Sequence, residues 1–432
     1  MKVGVLLHLQ GPCISLEALT IAVNHLQYRH PFLRSRLQNN PTKPGNYLME
    51  EDNAFRLKIR EVPRKRNDHL HFWRQEWRER EKESAIIGQG LVEFWLLQDP
   101  EDSTTANAPR EVILICEHCV CDGLSLSTVA HELLMILSKG DQHILGNALE
   151  WPITMEAAIQ RSLSTWGRLV TFGKFILAAM YWRVTRTQAI ARIPLAQVDF
   201  SLIDMVKYCH TEVSYGTLCK EETQKLVDKC HRERVTVTSA VSSAILCASS
   251  TLVNVDDIEQ TQLVVAIAAD TRRRCIPTIP NHDLSYHVSG TMAFTIPTRD
   301  TPTTFLGMWQ LASAFGHHVK TSIDAGQTLA LGMIMGKIYE KNLGPPNLAQ
   351  VPTFGISNWG VLPYCKQYGN WELIATIPFG NLIRAPMPFA LIQTVNGVLT
   401  VVFVGSAPIF PLGTLENLRN GTLEKLRLMI EN

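Results

Sequence analysis

The chain reads as an α/β protein of two lobes, each a mixed β-sheet flanked by helices, and three observations carry that expectation. At 432 residues it is longer than one hydrophobic core usually supports, so two domains are the natural division. Apolar runs of strand length alternate with stretches of helical periodicity through both halves, the pattern of layered α/β domains. At residues 111–138 a strand, a turn and a helix follow one another, with a histidine where the strand ends. The division is placed between residues 1–190 and 191–432. Hydrophobic residues make up 46% and charged residues 19%, an ordinary globular balance. A net charge of +1 argues against a nucleic-acid partner, which would call for a basic face.

Residues 3–9 are a short apolar run after one lysine. Residues 10–13 lack the small-residue cleavage pattern of a signal peptide, so a first strand is expected. Leu16, Leu19, Val23 and Leu26 mark one face of a helix. It ends at His30-Pro31, because proline cannot continue it, and 32–37 turn into the next strand. Phe55, Leu57 and Ile59 alternate with Arg56, Lys58 and Arg60, which predicts a strand with one wet face. Residues 67–83 read as a charged helix buried through Phe72, Trp73 and Trp77, 91–97 as a strand, and 98–109 as a polar loop. Residues 112–116 are the buried strand of the turn. The helix after it shows Leu124, Val129, Leu133 and Leu134 at helical spacing, and Gly123 is expected to give the backbone freedom to turn. Residues 165–184 are strongly apolar but interrupted by Arg168, Gly173 and Lys174. No run approaches the ~18 residues of a spanning helix, so the stretch is expected as a buried helix, or as one lining a hydrophobic acyl or acceptor pocket, with interfacial membrane contact as the alternative.

Residues 185–201 form the crossover between halves. A polar helix at 220–234 and a small-residue helix at 238–250 follow, then a buried strand at 263–269 ending at Asp270-Thr271-Arg272. Helices are expected at 302–320 and 327–341, a breaker at Gly344-Pro345-Pro346, and a strand holding Ser357. Strands at 390–395 and 398–404 flank Asn396-Gly397, a strong hairpin signal, and the last helix runs over 415–430.

Ten cysteines scattered over a chain of this size do not make a disulfide scaffold, so reduced thiols in a cytoplasmic setting are expected. Cys116, Cys119 and Cys121 surround His118 and are zinc-ligand types. No second Cys-x-x-Cys pair completes a structural site, however, and alternate strand side chains point to opposite faces, so no metal is expected.

His118-Cys-Val-Cys-Asp122-Gly123 at the end of a strand resembles the His-x-x-x-Asp-Gly motif of the CoA-dependent acyltransferase superfamily. That superfamily includes chloramphenicol acetyltransferase, condensation domains, alcohol acetyltransferases and plant acyltransferases. Two further matches lie in the same order along the chain. Arg29-His30-Pro31-Phe-Leu33-Arg34 is similar to an "R-H-P-x-L-R" signature. Phe354-Gly-Ile-Ser357-Asn358-Trp359-Gly360 is similar to the late "S-N-x-G" or "D-F-G-W-G" element. The strand ending at Arg272 also resembles a strand of alcohol acetyltransferase relatives.

The resemblance implies two chloramphenicol-acetyltransferase-like lobes with an active-site tunnel between them. It also implies direct attack of an alcohol or amine acceptor on acyl-CoA as co-substrate, with no bound cofactor and no covalent acyl-enzyme. His118 would be the general base, its imidazole being suited to proton transfer near neutral pH. Asp122 would be structural, paired with Arg34 or, second, with Arg272. Ser357 and Asn358 would donate to the oxyanion, or else shape a strand end, and Trp359 and Gly360 would be structural. Condensation domains carry a second histidine before the catalytic one. Here that position is Glu117, which weakens a peptide-forming reading. A carrier protein in place of CoA is the alternative donor, and a non-catalytic binding protein of the same fold is the rival class. A monomer without a transmembrane segment is expected.

Overall fold

The computed structural model describes residues 1–64, 72–99, 107–139, 146–185, 188–193, 205–341, 350–385 and 387–431. The crossover at 185–201 and the first part of the helix expected at 67–83 fall partly outside these residues, and the breaker at 344–346 falls wholly outside them. The chain divides into two compact units. The first comprises Met1–Thr154, Pro280–Tyr286 and Leu362–Asn381; the second comprises Met155–Ile279, His287–Val361 and Leu382–Asn432. Residues 155–190, expected with the amino-terminal lobe, are counted with the second unit.

In chain order the first unit opens with strand β1 (Lys2–Gly11) and helix α1 (Leu16–Arg29). Ser15 caps this helix by accepting the Ala18 N–H, satisfying one of the free amides of a helix start. A 3-10 turn over Pro31–Arg34 leads into β2 (Ser35–Asn39), which pairs with β3 (Tyr47–Glu51). Next come β4 (Ile59–Pro63), α2 (Trp73–Arg80), β5 (Val92–Gln98), β6 (Ala108–Glu117) and α3 (Gly123–Lys139).

The strand expected from Phe55 begins only at Ile59. Phe55 and Leu57 keep the half-buried alternation, but the Gln27 side chain takes the place of a partner strand. Its amide donates to the Phe55 carbonyl at 3.2 Å and its oxygen accepts the Leu57 N–H at 3.1 Å. Trp73 and Trp77 of α2 are buried as expected, and the reason lies far along the chain. Both pack on the ring of Phe379, with centroids 4.6 and 4.8 Å away. That ring in turn lies over Gly4 of β1, where a Cβ would stand 2.3 Å from it.

The second unit contains α4 (Met155–Ser162), α5 (Thr165–Thr185), β7 (Ala189–Ile190), α6 (Met205–Tyr208), β8 (His210–Leu218), α7 (Lys220–Glu233), α8 (Val237–Ser250) and β9 (Thr261–Asp270). They are followed by β10 (Val288–Gly290), β11 (Phe294–Pro297), α9 (Phe305–Asp324), α10 (Gln327–Gly332), α11 (Met335–Lys341) and β12 (Phe354–Val361). Strands β13 (Gln367–Tyr368) and β14 (Trp371–Gly380) belong to the first unit, while β15 (Phe389–Val395), β16 (Val398–Ala407) and α12 (Leu412–Glu431) close the second.

The first sheet runs β13-β14-β1-β6-β5-β4, antiparallel except for β4 with β5. The second runs β10-β9-β12-β15-β16-β8, with β12 parallel to both of its neighbours. Both sheets are therefore mixed where strand pairing is concerned, and helices flank them as the α/β expectation holds. Asn396 and Gly397, with φ of 51° and 83°, form the hairpin turn between β15 and β16, the pair of positive values a type I′ turn requires.

Helix α8 explains its run of small residues. It is buried from Ser239 through Ser249, and its small side chains allow neighbouring helices to approach closely. A Cβ on Gly316 of α9 would stand 2.8 Å from Ser239 Oγ. The helix expected over 327–341 is two short ones, α10 and α11, and Gly332 at the break packs tightly against Ile159 and Met155 of α4. A larger departure concerns α5. It forms a helix as expected, but it has no buried residue at all, so it is not the buried helix that its apolar content predicts.

Candidate active site

Strand β6 delivers His118. The Glu117 N–H donates to the Leu91 carbonyl and the His118 N–H to the Met1 carbonyl, both at 2.8 Å, and Val120 N–H closes the turn on the Glu117 carbonyl at 3.0 Å. The backbone at His118 is thus held by the sheet on one side and by a hydrogen-bonded turn on the other. Its ring Nδ1 lies 2.8 Å from the Cys121 carbonyl oxygen. A carbonyl can only accept, so Nδ1 carries the hydrogen and the neutral ring presents its lone pair at Nε2. The edge of Tyr286 stands perpendicular to the ring, with centroids 5.0 Å apart.

Burial lowers the His118 pKa below the ordinary histidine value of 6.5. The Cys121 carbonyl and the Asp122 charge act in the opposite direction without cancelling it. The ring is surrounded by protein, yet part of the residue's surface stays accessible. A neutral imidazole with a free, oriented lone pair is the form a general base requires.

Asp122 does not bond to that ring. It is the residue before α3, and its Oδ1 accepts the Ser125 N–H at 3.0 Å while Ser125 Oγ accepts the Asp122 N–H at 3.1 Å. This is a reciprocal capping box with serine in the returning position. A carboxylate here also lies at the favourable, positive end of the helix dipole. Gly123 is the buried first residue of α3. It is not among the glycines with positive φ, which among the described residues are Gly45, Gly88, Gly326, Gly360, Gly369 and Gly397. The backbone therefore turns into α3 without a left-handed residue at Gly123.

The pairing of Asp122 with Arg34 is corrected. Arg34 folds back on the end of α1, donating to the Gln27 and Tyr28 carbonyls at 2.8 and 2.6 Å and to Glu51 of β3 at 2.7 Å. Its fork serves the free carbonyls of a helix C-terminus, a common destination for a cation. The preceding residues of the same signature reach α3. His30 Nε2 lies 2.6 Å from Glu132 Oε2, and Arg29 Nε donates to Glu132 Oε1 at 3.2 Å. Burial pushes the Glu132 carboxyl up, but His30 and Arg29 more than offset that and hold it below its ordinary value of 4.5. The Arg-His-Pro match therefore ties α1 to the helix that leaves the His118 turn.

Arg272, in the second unit, is fully buried and donates to Asp270 at 3.2 Å. Asn358 uses both arms of its amide locally, with Nδ2 donating to Thr238 Oγ1 at 2.7 Å and Oδ1 accepting the Gly360 N–H at 2.8 Å. Together with Gly360 at φ 81°, it shapes the register shift in β12 between Asn358 and Gly360. The Ser357 hydroxyl has no hydrogen-bond partner among the described residues, while its backbone pairs with β15. Glu117 pairs with Lys2 at 3.2 Å. Cys116 and Cys121 are buried, and burial raises both thiols. They are protonated near neutrality.

Residues 210–368, less than half of the chain, match the family described as phthiocerol/phthiodiolone dimycocerosyl transferase C-terminus. A search of curated protein sequences found no relative. Among solved structures, polyketide synthase associated protein 5 from Mycobacterium tuberculosis is 18% identical, with a TM-score of 0.67 over 98% of this chain and 93% of that one. The trichothecene 15-O-acetyltransferase of Fusarium sporotrichioides is 11% identical, with a TM-score of 0.76 over 99% of this chain and 91% of that one. The chain has the fold of the CoA-dependent acyltransferase and condensation superfamily. The epimerization domain of tyrocidine synthetase B shares that fold at 14% identity, with a TM-score of 0.64 over 99% and 91% of the two chains.

Within this acyltransferase–condensation fold, the structure adds three groups that motif matching does not reach. The Cys121 carbonyl is a backbone atom and leaves no signal in side-chain types. Tyr286 joins the first unit from residue positions far along the chain. Ser125 lies outside the matched motif, and its role as the returning arm of the cap follows from its place three residues after Asp122.

Proposed function

We propose that the chain is an acyltransferase that moves an acyl group from acyl-CoA directly to a hydroxyl acceptor, with His118 as general base. The single observation supporting this is the hydrogen bond from His118 Nδ1 to the Cys121 carbonyl, 2.8 Å long. It makes Nε2 the proton acceptor. In the proposed step Nε2 takes the acceptor's O–H proton as the oxygen forms its bond to the thioester carbon. The tetrahedral oxyanion then collapses, the carbon–sulfur bond breaks, and Nε2–H returns the proton to the leaving thiolate. An amine acceptor would follow the same sequence. Asp122 and Ser125 hold the turn, while Asp122 takes no proton from the ring.

Of the two residues expected to serve the oxyanion, Asn358 gives one of its two Nδ2 hydrogens to Thr238 and keeps the other, so the oxyanion role is proposed first for Ser357. Its conversion to alanine is expected to cost about 10²-fold in turnover, on the scale of a lost oxyanion donor.

A panel of acyl-CoA thioesters assayed for free thiol with alcohol and amine acceptors tests the reading. Acceptor-dependent thiol release, abolished in His118→Ala and leaving no acylated protein by intact mass, is expected. Turnover retained in His118→Ala would overturn it. A carrier-protein donor is the second reading, favoured by the match of residues 210–368 to a dimycocerosyl transferase family and by the fold of synthetase domains. Release from an acylated phosphopantetheine carrier, with none from acyl-CoA, would select it.

A further inference from the structure

Helix α5 is exposed on the side where a globular protein normally presents polar residues. Placed at 100° per residue, Ile176, Leu169, Met180, Trp166, Leu177 and Tyr181 cover an arc of about 140°. All six are exposed, with Trp166 at 74%, Tyr181 at 72% and Leu177 at 67%. Lys174 borders this strip on one edge and Arg183 on the other, both exposed. The opposite arc, with Thr171, Phe172, Phe175, Ala178 and Trp182, is half-buried. Thr171 packs where α10 begins, its Cγ2 being 3.0 Å from where a Cβ on Gly326 would stand. The inner face of the helix is thus accounted for by the second unit's own packing, and the apolar strip is what remains.

Charge decides what covers that strip. Residues 165–185 contain Arg168, Lys174 and Arg183 and no Asp or Glu. A second copy packing strip to strip would bring basic edge against basic edge in either orientation, because both edges carry a cation. An anionic surface satisfies both edges at once. Trp166 and Tyr181 stand at the two ends of the strip along the helix, and tryptophan and tyrosine are the residue types that settle at the level of lipid headgroups. No helix among the described residues is long and apolar enough to cross a membrane, so the geometry is that of a helix lying in the interface plane.

We propose that α5 docks on an anionic phospholipid surface, with the Trp166–Leu177–Tyr181 strip in the acyl boundary and Lys174 and Arg183 at the headgroups. The inference is independent of the acyltransfer reading and can fail without it.

The test is cosedimentation of the full chain with vesicles of phosphatidylcholine mixed with phosphatidylglycerol, compared with phosphatidylcholine alone. Binding is expected to the mixed vesicles, to weaken with added salt, and to fall about fivefold for each of Lys174→Gln and Arg183→Gln. The double variant Trp166→Ser with Leu177→Ser should lose binding while keeping the wild-type melting temperature, since neither side chain is buried. No binding to mixed vesicles overturns the proposal, as does equal binding to pure phosphatidylcholine. Sedimentation velocity provides the rival outcome: a dimer dispersed by Leu177→Ser, without lipid binding, would make the strip a self-association surface.

Discussion

His118 and His30 lie in the same compact unit, each at the end of a regular element, and their surroundings set them to different work. His118 follows β6 and turns one nitrogen to a backbone carbonyl while the other remains available. His30 follows α1, is 1% exposed, and turns its Nε2 to the Glu132 carboxylate. A carbonyl partner fixes a tautomer without supplying a charge, so the ring stays neutral and basic. A carboxylate shared with Arg29 makes the other ring part of a buried charged cluster, which resists separation because removing one member strands the others. Two histidines in motifs of apparently equal standing are thus divided into one that can move a proton and one that holds helices together.

The largest expected effect falls on chemistry. His118→Ala should lower thioester turnover about 10²–10⁴-fold, the usual worth of a positioned base, and leave the urea unfolding midpoint close to wild type. A variant that loses stability but retains turnover would erase the distinction between the two histidines.

The mirror experiment is Glu132→Gln. Breaking a buried charged cluster costs about 3–5 kcal/mol, so the urea midpoint should drop clearly. Turnover of the fraction still folded should change far less than in His118→Ala. Comparable losses in both quantities would mean that the cluster reaches the active site more directly than its place on α3 indicates.

The two regions also separate along the pH axis. Burial holds the folded His118 below 6.5, and the neutral ring is the form the proposed general base requires. The acid limb of kcat/KM should therefore lie below 6.5. The unfolded chain binds this proton first, so stability begins to decline as pH drops through 6.5 and stops declining from this source below the folded pKa. Glu132, held below 4.5 in the fold, contributes stability that is complete above 4.5 and is lost only as pH falls through its lower folded pKa. An acid limb above 6.5 would contradict the assignment of His118.

The smallest effect falls on the cap of α3. Asp122→Asn removes the charge but keeps an oxygen for the Ser125 N–H, whereas Asp122→Ala removes both. The difference between the two variants should be about 0.5–2 kcal/mol of stability, the range for losing an N-cap. Equal stabilities would show that the capping box adds nothing.

What could be read in the sequence was local. Helix α1 with its proline stop, the β6–turn–α3 passage and the Asn396-Gly397 hairpin follow from periodicity, caps and turn residues within a few positions of one another. The position of His118 at a strand end followed as well, because an apolar run and an amphipathic helix bracket it. What depended on distant segments stayed out of reach. Strand β14 lies beside β1, Val3 opposite Gly380, although more than three hundred residues separate them. The loop 280–286 brings Tyr286 to the His118 ring. Arg34 was matched to Asp122 by motif order, yet it turned to Glu51 and the end of α1 because those acceptors lie within its reach. Helix α5 was expected to be buried from its apolar content, and its exposed face could be known only once the packing was in place. Sequence sets the hydrogen-bonding and apolar pattern of each element, whereas the tertiary fold selects which surfaces meet, and with them which nitrogen of His118 is left free.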